Sequence, residues 1–348
     1  MKVLRYRAPG VVVLEETPDP TPGPGEVVLR VHNCSLCGTD VKIYHHGHQR
    51  IVPPRVLGHE IAGEVVLLGE GASAHGLQVG DRVQLIGAIP CGSCRSCRDE
   101  LPTVCTRFEA MGYHYDGGFA EFVTVPAKVL DVGGLHRIPD SLSFAEASLA
   151  EPLACVLNGQ ELARVGKGDD VVVVGAGPVG CMHVRLARAR GANRVLLVEL
   201  DAARLELARR LVVPDEAVLG ADVDVAERVL GLTDGRGADV VLLAAASAPA
   251  QQQALHYTAP RGRVSLFGSL PPGSAAPVLD TNLAHYRELT IVGSNSSHPG
   301  QNAEALGLIS SGAVPVADLI THTLPLDRIV EGIRLVESRQ AMKVTIEP

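Results

Sequence analysis

The sequence predicts an α/β fold in two parts: a doubly wound parallel sheet in the middle of the chain, and a small barrel-like β domain built from its two ends. Three observations carry this expectation. Short strand patterns separated by Gly and Pro fill the first third of the chain. From near Ser141 to Arg287, strand and helix patterns alternate, as they do in parallel sheets with crossover helices. Within that stretch the run Val171-Val-Val-Val174 leads directly into Gly175-Ala-Gly-Pro-Val-Gly180. Four β-branched residues in a row read as a strand buried on both faces.

The elements follow in order. Met1-Lys-Val-Leu4 starts a first strand, Val11–Leu14 is a second, and Glu26–His32 a third, after a Pro/Gly-rich loop. Asn33–Asp40 leads into a short helix through Tyr44. Ile61–Leu68, Gly80–Leu85 and Gly117–Val125 add strands. Ser143 and Glu146 have the spacing of a capping box and open the helical region. Strands are expected at Val171–Val174, Val195–Val198, Val240–Leu243, Val264–Phe267 and Leu289–Val292. A helix over Gln301–Ser311, a turn at Thr321–Pro325, a helix over Asp327–Arg339 and a strand Lys343–Ile346 close the chain. The expected domains are residues 1–147 with 288–348, and residues 148–287.

Gly175, Gly177 and Gly180 fit G-x-G-x-x-G between a strand and the helical pattern Cys181–Arg190. The first glycine allows a tight turn, the second admits a pyrophosphate against the backbone, and the third lets helix pack on strand. The helix N-terminus offers N–H groups and the positive end of its dipole to phosphate. A second apolar strand, Arg194–Glu199, ends in an acid 19 residues after Gly180, where a ribose-binding carboxylate belongs. The stretch therefore reads as a dinucleotide site.

Composition narrows the class. The 348 residues carry a net charge of -8 with no basic run, which argues against nucleic acid as partner. The longest apolar runs are strand-sized, so no membrane span is expected. No charged-then-apolar leader pattern opens the chain, and a cytoplasmic protein is expected. Trp is absent and aromatics are 3%, so the core must be aliphatic.

Four of the eight cysteines, Cys91, Cys94, Cys97 and Cys105, fall within fifteen residues. This spacing lets one loop wrap a tetrahedral zinc, and four thiolates leave no open position, so a structural ion is expected. A second set, Cys37, His59 and Glu60, could supply thiolate, imidazole and carboxylate and leave one position for water or substrate. Glu151, an acid inside the apolar segment Ala150–Ala154, is a further candidate, because a buried acid needs a partner. His45, His46 and His48 cluster around Gly47, but on a loop they read as solvated surface.

These motifs resemble the zinc-dependent medium-chain dehydrogenases, in the branch of sorbitol (polyol) and threonine dehydrogenases. The carriers are Cys37-Gly-Thr-Asp40, Gly58-His-Glu60 with Gly63-Glu-Val-Val66, the Cys91–Cys105 lobe, Gly117–Phe122, Glu151-Pro-Leu-Ala154 and Gly175–Gly180. The resemblance implies a GroES-like β-barrel catalytic domain and a Rossmann domain. It implies a catalytic zinc on Cys37, His59 and either Glu60 or Glu151, and a structural zinc on the four lobe cysteines. Asp40 would orient His59, and Thr39 would bind the substrate oxygen and pass its proton outward. Gly175, Gly177, Pro178, Val179 and Gly180 would line the dinucleotide, with Glu199 on the adenosine ribose, Arg204 alongside and Lys343 near the pyrophosphate. An acid at Glu199 disfavours a 2′-phosphate, so NAD is expected over NADP. A homodimer or homotetramer is implied.

The chain departs from the family pattern at three places. The relay histidine often found five residues after the ligand cysteine is Lys42 here. Lys42, His45 or His46, or water then carries the proton. The arginine that polyol dehydrogenases often place after the last Rossmann strand is absent from Val292–His298, a small polar loop suited to hydroxyl-rich or amino-bearing substrates. Glu151 continues as Pro-Leu-Ala-Cys-Val-Leu-Asn-Gly159, nearer to sugar-alcohol and cyclitol dehydrogenases. The expected reaction is oxidation of a secondary alcohol on a polyol, cyclitol or aminocyclitol, with threonine-type oxidation as the alternative. A non-catalytic zinc or nucleotide binder on the same scaffold would predict damage at Cys37, His59 or Thr39, and all three are intact.

Overall fold

The computed structural model describes residues 1–271 and 273–348, which divide into two compact units, Met1–Ala154 with Ser296–Pro348, and Cys155–Asn295. In the first unit the strand Val27–Ser35 is central. It pairs antiparallel with Glu60–Leu68, with Phe122–Val125 and with the closing strand Lys343–Glu347. Arg82–Leu85 and Leu135–Arg137 extend the sheet on one side, and Ile320–Pro325 on the other. A three-stranded sheet formed by Val11–Glu16, Lys2–Ala8 and Arg55–Val56, and the two-stranded pair Ala88–Ile89 with Glu109–Ala110, complete the unit. The pleat of Val27–Ser35 explains its role. Val27, Val28, Leu29 and Val31 are buried, and the core they enter is aliphatic, as a Trp-free sequence requires.

The second unit is a six-stranded, wholly parallel sheet. In sequence order its strands sit 3-2-1-4-5-6, with Asp170–Val174 as the first and Thr290–Gly293 as the last. Val171, Val172 and Val173 are fully buried, as strands covered by helices on both faces must be. The order reverses beside Asp170–Val174, and the crevice at the carboxyl end of such a switch point is where ligands bind.

The chain divides after Ala154 and Asn295, where 147 and 287 were expected. Thr290–Gly293 hydrogen-bonds to Thr258–Leu266 as the sixth strand of the parallel sheet, in line with the strand expected at Leu289–Val292. Two expectations are corrected. Thr321–Pro325 is strand, not turn, because it pairs in parallel with Lys343–Glu347. The strand read over Gly117–Val125 begins only at Phe122. Gly117 and Gly118 instead form a tight crossing, donating their N–H groups to Val56 O and Gly58 O at 2.8 and 3.0 Å.

Candidate active site

Sheet register assembles the first cluster. Ser35 and Glu60 are partners at the ends of neighbouring strands, and the strand beginning at Lys343 lies on the other side of Val27–Ser35. Cys37 follows the central strand by two residues and His59 precedes Glu60, so two paired strand ends carry these side chains to one place. The donor atoms of Cys37, His59 and Glu60 lie within 4.8 Å of one another. Zinc bonds of about 2.0–2.3 Å bring such atoms around one ion after small rotamer adjustments.

Asp40 ties two of these groups together. Cys37 caps the helix Gly38–His46, and its N–H donates to Asp40 Oδ2 at 3.0 Å. The other carboxylate oxygen lies 3.5 Å from His59 Nδ1. A carboxylate at Nδ1 fixes the ring and leaves Nε2 to a metal. Burial works against charge on His59, but Asp40 and Cys37 outweigh it and hold the imidazole well above its ordinary pKa. A metal would displace that proton. The Thr39 N–H points at Cys37 Sγ, 3.4 Å away, from the amide end of the same helix.

Lys343 is a partner of this cluster. Its ammonium is buried, 2.7 Å from Glu60 Oε1. Burial pushes the Glu60 carboxyl up and Lys343 pulls it back, while burial of Lys343 is outweighed by Glu60 and Cys37, which keep the ammonium charged. The expectation of Lys343 beside a pyrophosphate did not foresee this pairing, whose signal is an acid and a lysine at the ends of the two strands that flank Val27–Ser35. Glu151, in the first turn of Ala150–Leu162, is buried but stands outside the converging set. Gly87 makes room for it, since a Cβ there would lie 3.1 Å from Glu151 Oε1. Lys42 is exposed on the helix that carries Thr39.

Tyr113 escaped the sequence reading. Its ring lies edge-on to His59, with centroids 6.2 Å apart, and no motif marks it. The histidines near Gly47 take other roles: His45 meets Glu337 at 2.5 Å, and His48 packs edge-on against Tyr113. Of the small polar loop, Ser297 is buried and accepts from Asn302 Nδ2 at 3.1 Å.

The second cluster is the cysteine lobe. Sγ atoms are 4.0 Å apart for Cys91–Cys97, 3.5 Å for Cys94–Cys97 and 3.7 Å for Cys94–Cys105. A regular tetrahedron with Zn–S bonds of about 2.3 Å has edges of about 3.8 Å. The sulfurs therefore fit zinc, and all eight cysteines are free thiols. Backbone amides already point at them: Cys94 N donates to Cys91 Sγ, and Cys91 N and Arg107 N donate to Cys105 Sγ, each at 3.3 Å. The Ser93 N–H holds the Cys91 thiol down at about 5, and the Cys97 N–H holds Cys94 at about 7.

In the second unit the glycines act through distance. A Cβ at Gly180 would sit 1.8 Å from Gly175 O, so only glycine lets the helix Pro178–Ala189 start so close to the strand. Gly175 has φ +106, a conformation side chains rarely adopt. A Cβ at Gly177 would meet only Arg204 Nη2, at 4.0 Å, leaving open space before the helix N-terminus that holds Pro178 and Val179. Glu199 is clamped by Ala176 N at 2.9 Å and Leu200 N at 2.7 Å. Arg204 is buried and donates to Ala176 O at 3.0 Å. The turn thus has a fixed carboxylate and a fixed guanidinium beside an open, amide-lined gap, an arrangement that can hold a diphosphate and a ribose.

Comparison with known proteins agrees with this chemistry. Residues 23–139 match the alcohol dehydrogenase GroES-like domain, and residues 178–311 match the zinc-binding dehydrogenase family. A sorbitol dehydrogenase of Halalkalibacterium halodurans is 32% identical over 97% of this chain and 96% of its own length. An L-threonine 3-dehydrogenase of Pyrococcus horikoshii is 36% identical over 95% of this chain and 93% of its own. A zinc-binding dehydrogenase structure from Sinorhizobium meliloti, bound to NADP, superposes with a TM-score of 0.91 at 31% identity, covering 100% of this chain and 99% of that one.

Proposed function

The chain belongs to the zinc-dependent alcohol dehydrogenase family, and from that premise we propose that it oxidises a secondary alcohol of a polyol, cyclitol or aminocyclitol to the ketone, with NAD as hydride acceptor. The observation that carries the proposal is the convergence of Cys37, His59 and Glu60, with Asp40 bridging the first two. When bound, zinc supplies Lewis acidity that lowers the pKa of the alcohol, and the nicotinamide supplies the hydride acceptor. The residues do the rest. Cys37 and His59 hold the ion, with Glu60 or Glu151 as the third ligand. Asp40 keeps the His59 Nε2 lone pair available. Thr39 hydrogen-bonds the alcohol oxygen and takes its proton as it releases its own hydroxyl proton outward, which water, His45 or His46, or Lys42 in its neutral form then carries to solvent.

Glu199 supports NAD over NADP, since a carboxylate clamped by three backbone amides repels a 2′-phosphate. Arg204, though cationic, is engaged with the Ala176 carbonyl. The names of the relatives favour polyols and amino alcohols, and threonine-type oxidation is the second reading. The outer edge of Thr290–Gly293 supports a homodimer or homotetramer built by sheet extension. No helix among the described residues is long and apolar enough to cross a membrane, and a cytoplasmic location is proposed.

The test is a panel assay. Zinc-loaded enzyme with NAD is offered acyclic polyols, cyclitols, aminocyclitols and threonine, and NADH formation is followed. Turnover of a polyol or cyclitol is expected; turnover of threonine alone selects the second reading, and silence across the panel overturns the substrate class.

A further inference from the structure

We propose that Tyr113 is a specificity residue whose hydroxyl binds the hydroxyl or amine on the carbon next to the one oxidised. The inference rests on the dehydrogenase reading above and narrows its substrate to vicinal diols and amino alcohols. Three observations lead to it.

The first is position. The Tyr113 ring lies edge-on to His59, at 6.2 Å and 60°, and edge-on to His48, at 5.1 Å and 86°. The two imidazoles orient the ring. His59 is the imidazole of the open cluster, so the ring stands beside the groups that would surround the alcohol oxygen.

The second is the state of the hydroxyl. Two residues on, Tyr115 donates its hydroxyl to Glu109 at 3.0 Å. The Tyr113 hydroxyl makes no hydrogen bond among the described residues, although the residue is half-buried. A phenol held in one orientation beside a polar cluster and given no protein partner is suited to a partner that arrives with the substrate.

The third is chemistry: a phenol hydroxyl can both donate and accept a hydrogen bond. It can donate to a neighbouring hydroxyl or accept from a neighbouring ammonium. It offers nothing to a CH2 or CH3 group at the same position, so it separates substrates by the atom beside the reacting carbon.

The test compares two alcohols of one carbon skeleton, 2,3-butanediol and 2-butanol, in the zinc-loaded wild type and Tyr113→Phe. Phenylalanine keeps the ring contacts with His59 and His48, so a purely structural role predicts no change with either alcohol. The proposal predicts a fall of about tenfold in kcat/KM for the diol, the size of one lost neutral hydrogen bond, with 2-butanol unchanged. It also predicts a matching rise in the calorimetric Kd of 2,3-butanediol for the NADH-loaded enzyme, at unchanged zinc content. Equal losses on both alcohols, or no loss on either, overturn it. A wild type that oxidises no alcohol overturns the dehydrogenase reading, and this inference with it. A wild type active on alcohols with an indifferent Tyr113→Phe overturns this inference alone.

Discussion

The two cysteine-containing clusters of the first unit solve the metal problem in opposite ways. The lobe draws all its donors from Cys91 to Cys105, and its sulfurs sit at tetrahedral separations with backbone amides aimed at them. It has four like donors and no vacancy. The other cluster takes its donors from two neighbouring strand ends, mixes sulfur, nitrogen and oxygen, and carries a buried carboxylate neutralised by Lys343. Chain proximity fixes the lobe, and sheet register fixes the open site. The lobe can thus serve shape alone, while the open site keeps a ligand position that chemistry can use.

The sharpest way to break this comparison is to treat the two cysteine sets alike. Cys37→Ser removes a donor that the open site cannot replace. Turnover should fall by at least about 10³-fold, the scale of a lost metal-centred stabilisation. Metal analysis should show loss of the open-site ion with the lobe ion retained, and NAD binding should persist, because the glycine turn lies in the other unit. Retained turnover would remove the open site from the chemistry.

The contrast also explains what could be read from the sequence. The lobe was legible because its information is local: C-x2-C-x2-C and a nearby fourth cysteine need only one loop. The glycine turn was legible for the same reason, and the structure adds the distance, 1.8 Å, that forbids any side chain at Gly180. The open site was legible only as a set of candidates. Cys37 and His59 are 22 residues apart, and it is the pairing of Ser35 with Glu60 that joins them. The Lys343–Glu60 pair spans almost the whole chain and could not be read without the strand order. Tyr113 was invisible because an edge-on ring contact leaves no periodicity.

A milder change sharpens the comparison by touching the open site through its support. Asp40→Asn keeps the shape but removes the charge that faces His59 Nδ1 and leaves one carbonyl oxygen to serve either His59 Nδ1 or the Cys37 N–H, not both. Outer-shell partners of metal-bound histidines are worth about 10–100-fold in affinity or activity. Activity should therefore fall within that range, and added zinc should restore part of it, which Cys37→Ser does not allow. The lobe relies on side chains less: main-chain N–H groups donate to Cys91 and Cys105, and the Ser93 hydroxyl lies 3.9 Å from Cys91 Sγ, so replacing one side chain leaves most of that support in place.

The smallest effect on turnover should come from the lobe itself. Cys97→Ser deletes the sulfur that lies 3.5 Å from Cys94 and 4.0 Å from Cys91, so the tetrahedron loses a corner and its ion. The loop has little apolar surface with which to fold otherwise: Leu101 and Val104 both point to solvent. Local order there should depend on the metal. Limited proteolysis should open the Leu101–Val104 stretch, zinc content should drop by one ion per chain, and kcat should stay within about threefold, since no lobe sulfur belongs to the open cluster. The lobe is nonetheless not isolated. Its return strand, Glu109–Ala110, pairs with Ala88–Ile89 and leads within three residues to Tyr113. If the lobe matters to catalysis at all, it is through that short connection, and the damage should appear in KM for a vicinal diol before it appears in kcat. A large kcat loss with the open-site zinc still bound would mean that the two clusters are coupled, and that the closed one does more than hold a loop.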